Sequence, residues 1–303
     1  TVVPLQNRVM DKSPLNVIRF LKCARWAMIP LALLAGSFRL AAESGETDST
    51  DTSPDAEAAE TKSPVPEPEI VETRHSVEIG GREIAYTARA GKLHLLDKNG
   101  ESTAAVFFVA YTRDGVGPEE RPLTFSFNGG PGSSSIWMHM GLLGPRRVAL
   151  DEKGFATAPP HRLVDNPWSL LDTSDLVFID PVSTGFSRPL DPEKEKAFHG
   201  LEPDVEAVGE FIRRYVTEFA RWSSPKFLIG ESYGTTRAAA LSRHLQHRHG
   251  MYLNGIMLVS SVLDFATLRF SEDNDLPYVL FLPSMAATAH YHGQLEETLQ
   301  DLP

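Results

Sequence analysis

Cysteine is almost missing from this chain: Cys23 stands alone among 303 residues. A lone thiol forms neither an internal disulfide nor a thiolate-held metal site, so burial and hydrogen bonding must hold the fold. Long apolar runs are missing too. No stretch reaches the ~20 consecutive apolar residues that a membrane-spanning helix needs. Positive charge is in deficit, with a formal net charge of −11. No segment gathers a basic stripe, which argues against nucleic acid as a partner. Neither a metal nor an organic cofactor is expected.

What is present is unevenly distributed. Hydrophobic residues make up 42% and charged residues 23%, enough for most of the chain to bury a core. The first methionine is Met10, and Lys12, Arg19, Lys22 and Arg25 lead into the apolar run Ala27–Phe38, followed by the small residues Ala41 and Ala42. Basic, apolar and small segments in that order describe a secretory signal peptide. Residues 1–42 therefore read as a leader starting at Met10, and the product as secreted or periplasmic and free of the membrane after cleavage. Residues 43–73 are acidic, rich in Ser, Thr and Pro, and poor in large apolar side chains. Such a segment buries too little to offset its ordering entropy and reads as a disordered linker. Residues 74–303 remain as the folded domain.

Within that domain, alternating runs on either side of Gly80-Gly81 predict an antiparallel hairpin. AAVFFVAYTRDG, PLTFSF, DLVFID, KFLIG and GIMLVS read as further strands. Val205, Val208, Ile212, Tyr215, Phe219 and Trp222 recur at the spacing of one helix face. Thr235–Gln246 predicts a second helix, with Ala238, Leu241 and Leu245 on one side. The segment after Asp273 reads as helical stretches broken by Pro277 and Pro283, the start of a helical cap. Strands alternating with helices predict an α/β fold: a mainly parallel sheet with helices on both faces and antiparallel N-terminal strands.

Two motifs carry chemistry. Gly230-Glu231-Ser232-Tyr233-Gly234 follows the apolar strand KFLI and opens a helix. That context fits a nucleophile elbow, in which a sharp turn lifts the Ser232 hydroxyl to the top of the sheet. Asn128-Gly129-Gly130-Pro131-Gly132 follows an earlier strand. Its glycines leave backbone N–H groups accessible, as an oxyanion-binding loop requires. No Gly-Lys-Ser/Thr sequence follows, which argues against a phosphate-binding P-loop.

Together, FNGGPGSSS (Phe127–Ser135), Gly144-Pro145, NPWSL (Asn166–Leu170), DPVSTGFS (Asp180–Ser187) and GESYG resemble the serine carboxypeptidases, peptidases of the α/β-hydrolase fold, and suggest a bacterial-type member. The resemblance covers about residues 104–290. It implies that Ser232 is the nucleophile and that the N–H groups of Gly130 and Tyr233 form the oxyanion hole. It implies that Asn128, the Gly129 N–H and Glu231 hold the C-terminal carboxylate of a peptide or protein substrate. Glu231 would then face a second carboxylate, one of the two would have to carry a proton, and binding would be best at acidic pH. The chain departs from the family at Ser133 (commonly Cys), Ser126 (Trp), Leu142 (often Glu) and Asp180-Pro181, which lacks an intervening Gln.

A serine needs a base, in this fold a His that follows an Asp or Glu in the chain. His244 lies on the same helix as Ser232, about 18 Å along it, and cannot serve. With His247 and His249 it reads as a cationic close to that helix rather than a metal site. Asp264 followed by His290 or His292 is the one in-chain arrangement in the right order, although no strand separates them and AATAHYH reads as cap helix. The expectation is a domain incomplete at its C-terminus, with the triad Asp and His beyond Pro303 and little turnover by these residues alone. An esterase or acyltransferase on the same fold, and a non-catalytic peptide-binding protein, are the alternatives.

Overall fold

The computed structural model describes residues 69–296. The leader and most of the acidic linker lie outside the described residues. Those described fall into two units. The smaller is Leu150–Thr157, a turn closed by a bridge between Leu150 and Ala156, in which the Asp151 carboxylate accepts from the N–H groups of Lys153 and Phe155.

The larger unit is built on a mixed sheet. Strands β1 (Ile70–Ile79), β2 (Arg82–Leu96) and β3 (Ser102–Arg113) form the antiparallel start, turning at Gly80-Gly81. Both glycines have positive φ, as a two-residue hairpin turn requires. Strand β1 begins at Ile70, so its first four residues lie inside the stretch read as linker; Ile70–Thr73 pair with Ala88–Gly91 of β2. After β4 (Leu123–Phe127) come the short β5 (Arg146–Val148) and β6 (Leu163–Asp165), which pair only with each other. Then follow β7 (Asp175–Ile179), the two-residue β8 (Arg188–Pro189), β9 (Lys226–Glu231) and β10 (Gly255–Val259). The sheet order is β1-β2-β3-β7-β4-β9-β10, with β8 on β3. β7, β4, β9 and β10 run parallel, and every residue of β4 and β7 is buried. This is the expected α/β-hydrolase arrangement, with a parallel centre and an antiparallel start.

Helices α1 (Leu201–Glu218) and α2 (Tyr233–His249) pack on one face of the sheet. There Phe211, Ile212, Tyr215 and Leu241 meet Phe108, Phe125, Phe127 and Ile179. Side chains of this size each contribute about 1.5–3 kcal/mol on full burial. The helix ends at Glu218, yet the predicted stripe holds through Phe219, which caps it and packs on Phe108 and Tyr215. Ala220 turns to φ +52 and the Arg221 N–H closes on the Val216 carbonyl, so Trp222 leaves the stripe and is 47% exposed. The opposite face is covered by a helical turn at Ile136–Met138 that runs into a π-turn at His139–Leu143, and by the strand residues Tyr86, Tyr111 and Phe178.

Asp175, 1% exposed at the start of β7, receives Arg121 at 3.0 Å and Arg221 at 2.7 Å, a buried ionic pin at the sheet end opposite the motifs. The segment after Asp273 forms one helix, α3 (Leu276–Tyr291), rather than broken stretches. Pro277 sits in its first turn, where no intrahelical N–H is lost; Pro283 lies within it and removes one donor from the ladder. β10 is apolar as read, yet Ile256, Met257 and Leu258 are each 38–39% exposed.

Candidate active site

The site is assembled by strand register. β4 and β9 are parallel neighbours, with Phe127 opposite Gly230. Asn128, just past β4, and Glu231, the last residue of β9, stand next to that pair, and the Asn128 Nδ2 donates to Glu231 Oε2 at 3.0 Å. Two motifs a hundred residues apart thus meet at the carboxyl ends of adjacent parallel strands, where open α/β sheets place their ligands.

Ser232 occupies the turn between β9 and α2 with φ 58° and ψ −123°. A non-glycine residue in such a conformation costs about 1–3 kcal/mol and must be held by its surroundings. The Ser232 N–H donates to the Val259 carbonyl of β10 at 2.9 Å, and its carbonyl accepts from the Thr235 N–H and hydroxyl at 2.9 and 2.7 Å. Gly230 and Gly234 allow the bend, because a Cβ on Gly230 would strike the Gly234 backbone. Ser232 is half-buried, and its hydroxyl has no hydrogen-bond partner among the described residues.

The glycine loop lies against this elbow. A Cβ on Gly129 would fall 2.5 Å from the Tyr233 nitrogen and 2.6 Å from the Glu231 carbonyl oxygen. Only glycine permits that approach. The N–H of Tyr233 is the first of α2 and has no intrahelical acceptor. The Gly129 and Gly130 N–H groups donate to no described residue. Gly129 is buried, whereas Gly130 is exposed at the surface of the loop. The helix dipole adds partial positive charge at the Tyr233 N–H.

Both ends of the loop are clamped. At its start, the Asn128 Oδ1 accepts from the Met138 N–H at 3.0 Å, and its backbone carbonyl accepts from Arg237 Nη1 at 2.8 Å. At its end, Asp180 accepts from the Ser135 N–H and hydroxyl at 2.8 and 2.9 Å and from the Phe186 N–H at 3.3 Å. The Asp-Pro motif is therefore a brace for the loop. Asn166 is another brace: its side-chain amide donates to the Leu142 and Gly144 carbonyls, both at 2.8 Å, fixing the π-turn.

Arg237 and Asp204 were not singled out from the sequence. Arg237 is 2% exposed and donates through Nε to Asp204 Oδ2 at 2.8 Å; the Tyr233 hydroxyl donates to the same oxygen at 3.1 Å. The guanidinium also lies over the rings of Phe127 and Tyr233, 5.2 and 5.1 Å from their centroids. Burial, reinforced by the Asp204 charge, pushes the Tyr233 hydroxyl up to about 12, so it stays a donor. A sequence cue existed: Asp204 lies one turn before Val208, and Arg237 one turn before Leu241. Each is an isolated charge on an apolar stripe, and opposite charges so placed must pair when buried.

His139 is a second buried group. Its Nε2 lies 2.6 Å from the Tyr111 hydroxyl and its ring stacks on Phe178 at 4.4 Å. Burial lowers its pKa from 6.5 to about 4, so it is neutral at pH 7.

No described hydrogen bond joins Asp264 to Ser232. The Asp264 carboxylate caps a 3-10 turn by accepting from the Ala266 N–H at 2.8 Å. His290 belongs to the last turn of α3 and His292 follows it. His292 shares no hydrogen bond with Asp264 or Ser232 among the contacts described. His244 and His249 pack edge to face at 5.3 Å, burial lowers the pKa of both, and His247, Arg248 and His249 occupy the last turn of α2.

The serine carboxypeptidase family matches residues 88–290. Serine carboxypeptidase-like 9 of Arabidopsis thaliana is 27% identical over 184 residues, 59% of this chain and 41% of the relative. Serine carboxypeptidase-like 5 of the same plant is 33% identical over 139 residues, 44% of this chain and 30% of the relative. The chain thus spans less than half the length of these curated relatives, and they are plant proteins, so the expectation of a bacterial-type member finds no support in them. Among solved structures, Kex1(delta)p, a prohormone-processing carboxypeptidase from Saccharomyces cerevisiae, aligns with a TM-score of 0.48 at 24% identity, covering 70% of this chain and 49% of that one.

Proposed function

The chain belongs to the serine carboxypeptidase family, and on that premise we propose that it serves a serine-type carboxypeptidase, hydrolysing C-terminal peptide bonds through an acyl-enzyme on Ser232. Ser232 Oγ attacks the scissile carbonyl carbon, and the developing oxyanion is taken by the N–H groups of Gly130 and Tyr233. The leaving amino acid carries the proton lost by Ser232, relayed by a general base outside the described residues. Water then releases the acyl group and regenerates the hydroxyl. Asn128, the Gly129 N–H and Glu231 hold the terminal carboxylate of the substrate.

The observation that carries this reading is the Asn128–Glu231 hydrogen bond immediately beside the half-buried Ser232. An acidic side chain held there by an amide can share a proton with a substrate carboxylate, which is what carboxylate recognition at this point requires. The test is a peptide assayed as its free acid and as its C-terminal amide, with the full-length protein. Release of the last amino acid from the free acid only, lost in Ser232→Ala, is expected. Equal turnover of the amide would contradict it.

An esterase or acyltransferase on the same fold is the second reading. It is favoured by Ser126, which stands where the family has Trp and is wholly buried in β4 with its hydroxyl unpartnered. Leu142 likewise offers no polar side chain. Faster turnover of an ester than of any free-acid peptide would select it. Export to the secreted or periplasmic space is part of the proposal; recovery of the native protein only from the cytoplasmic fraction would contradict it.

A further inference from the structure

Gly129 presents a donor without an acceptor. The residue is buried, yet its N–H bonds to no described group. Buried backbone donors are seldom left unpaired, so a ligand or water must take this one. The other end of the same peptide unit is occupied. The Asn128 carbonyl accepts from Arg237 Nη1 at 2.8 Å, and Arg237 is held in turn by Asp204 at 2.8 Å. The Asn128–Gly129 bond is not among the cis peptides, so its C=O and N–H point in opposite directions. Fixing the oxygen on a buried guanidinium therefore aims the N–H away from Arg237. A cation on the carbonyl also draws electrons through the amide and makes the N–H a stronger donor.

We propose that Arg237, anchored by Asp204, is a positioning residue that aims and polarises the Asn128–Gly129 peptide so that the Gly129 N–H grips the terminal carboxylate of a peptide substrate. The proposal rests on the carboxypeptidase reading above. Arg237 touches no substrate; it acts through a backbone amide. A lysine would keep the charge but could not serve Asp204 and the Asn128 carbonyl with one planar fork.

The experiment compares kcat/KM for an N-acylated dipeptide with a free C-terminus against an N-acylated amino-acid ethyl ester, in the full-length protein. The ratio of the two is the readout. In Arg237→Lys the ratio is expected to fall about tenfold, chiefly through KM of the free acid, because a charge-assisted anchor for the carboxylate is weakened. The double variant Arg237→Met/Asp204→Asn removes the pair without stranding a buried carboxylate and should lower the ratio as far. A parallel fall for both substrates, with the ratio kept, would reduce Arg237 to a packing role and overturn the proposal. A wild-type protein that does not favour the free acid would instead sink the carboxypeptidase reading itself, so the two failures are distinguishable.

Discussion

Asn128 and Glu231 are joined by a hydrogen bond of 3.0 Å although 103 residues separate them. The pairing of Phe127 with Gly230 makes the contact inevitable once β4 and β9 are neighbours. On the proposed carboxypeptidase reading it also predicts a pH dependence. A substrate carboxylate at this point faces the Glu231 carboxylate, and like charges a few ångströms apart favour one shared proton. In the full-length protein KM for a free-acid peptide should rise from about pH 4 to about pH 8. In Glu231→Gln the rise should disappear, since no second charge remains. A wild-type KM that is flat across this range would contradict the assignment.

Gly129→Ala tests the approach of loop and elbow. The added methyl would sit 2.5 Å from the Tyr233 nitrogen, against backbone that cannot yield without moving the proposed oxyanion donors. Loss of one such donor costs about 10²–10³ in kcat. The variant should keep its far-ultraviolet circular dichroism and lose at least that factor in its rate of acylation by an activated ester. Retention of the wild-type rate would show that the two regions do not cooperate.

The two motifs were legible in the sequence because glycine patterns and apolar strands are local signals. The Gly80-Gly81 hairpin, β3, β4, β7 and β9 were found for the same reason. The end of α1 was not, because the 3-4 spacing continues to Trp222 while the backbone turns at Ala220. Arg237 was missed because its partners, Asp204 and the Asn128 carbonyl, lie 33 and 109 residues away. The prolines of α3 misled because one occupies a first turn, where proline is tolerated. The sheet brings Ser232 and the glycine loop together, whereas no described hydrogen bond joins Asp264, the acid read from the sequence, to Ser232.

Asp180 should matter through the loop it braces. Asp180→Ala leaves the buried Ser135 N–H and hydroxyl without their acceptor. A stability loss of about 2–3 kcal/mol is expected, read from urea denaturation. A change below about 0.5 kcal/mol would place the loop's support elsewhere.

His139 gives the fold an acid limit. Its pKa is depressed from 6.5 to about 4 by burial, so the folded state favours the neutral ring. The stability this contributes is fully present above the unfolded value and is lost as pH falls through the window from 6.5 to about 4. The loss amounts to roughly 3 kcal/mol. His139→Gln should flatten the fall in melting temperature across that window while lowering stability at neutral pH. An unchanged slope would assign acid sensitivity to other groups.

The nucleophile is tested most directly by covalent labelling. Full-length protein treated with a fluorophosphonate should carry one modification, which peptide mass spectrometry places on Ser232, and Ser232→Ala should carry none. Modification of a different serine, or unchanged labelling of Ser232→Ala, would contradict the account.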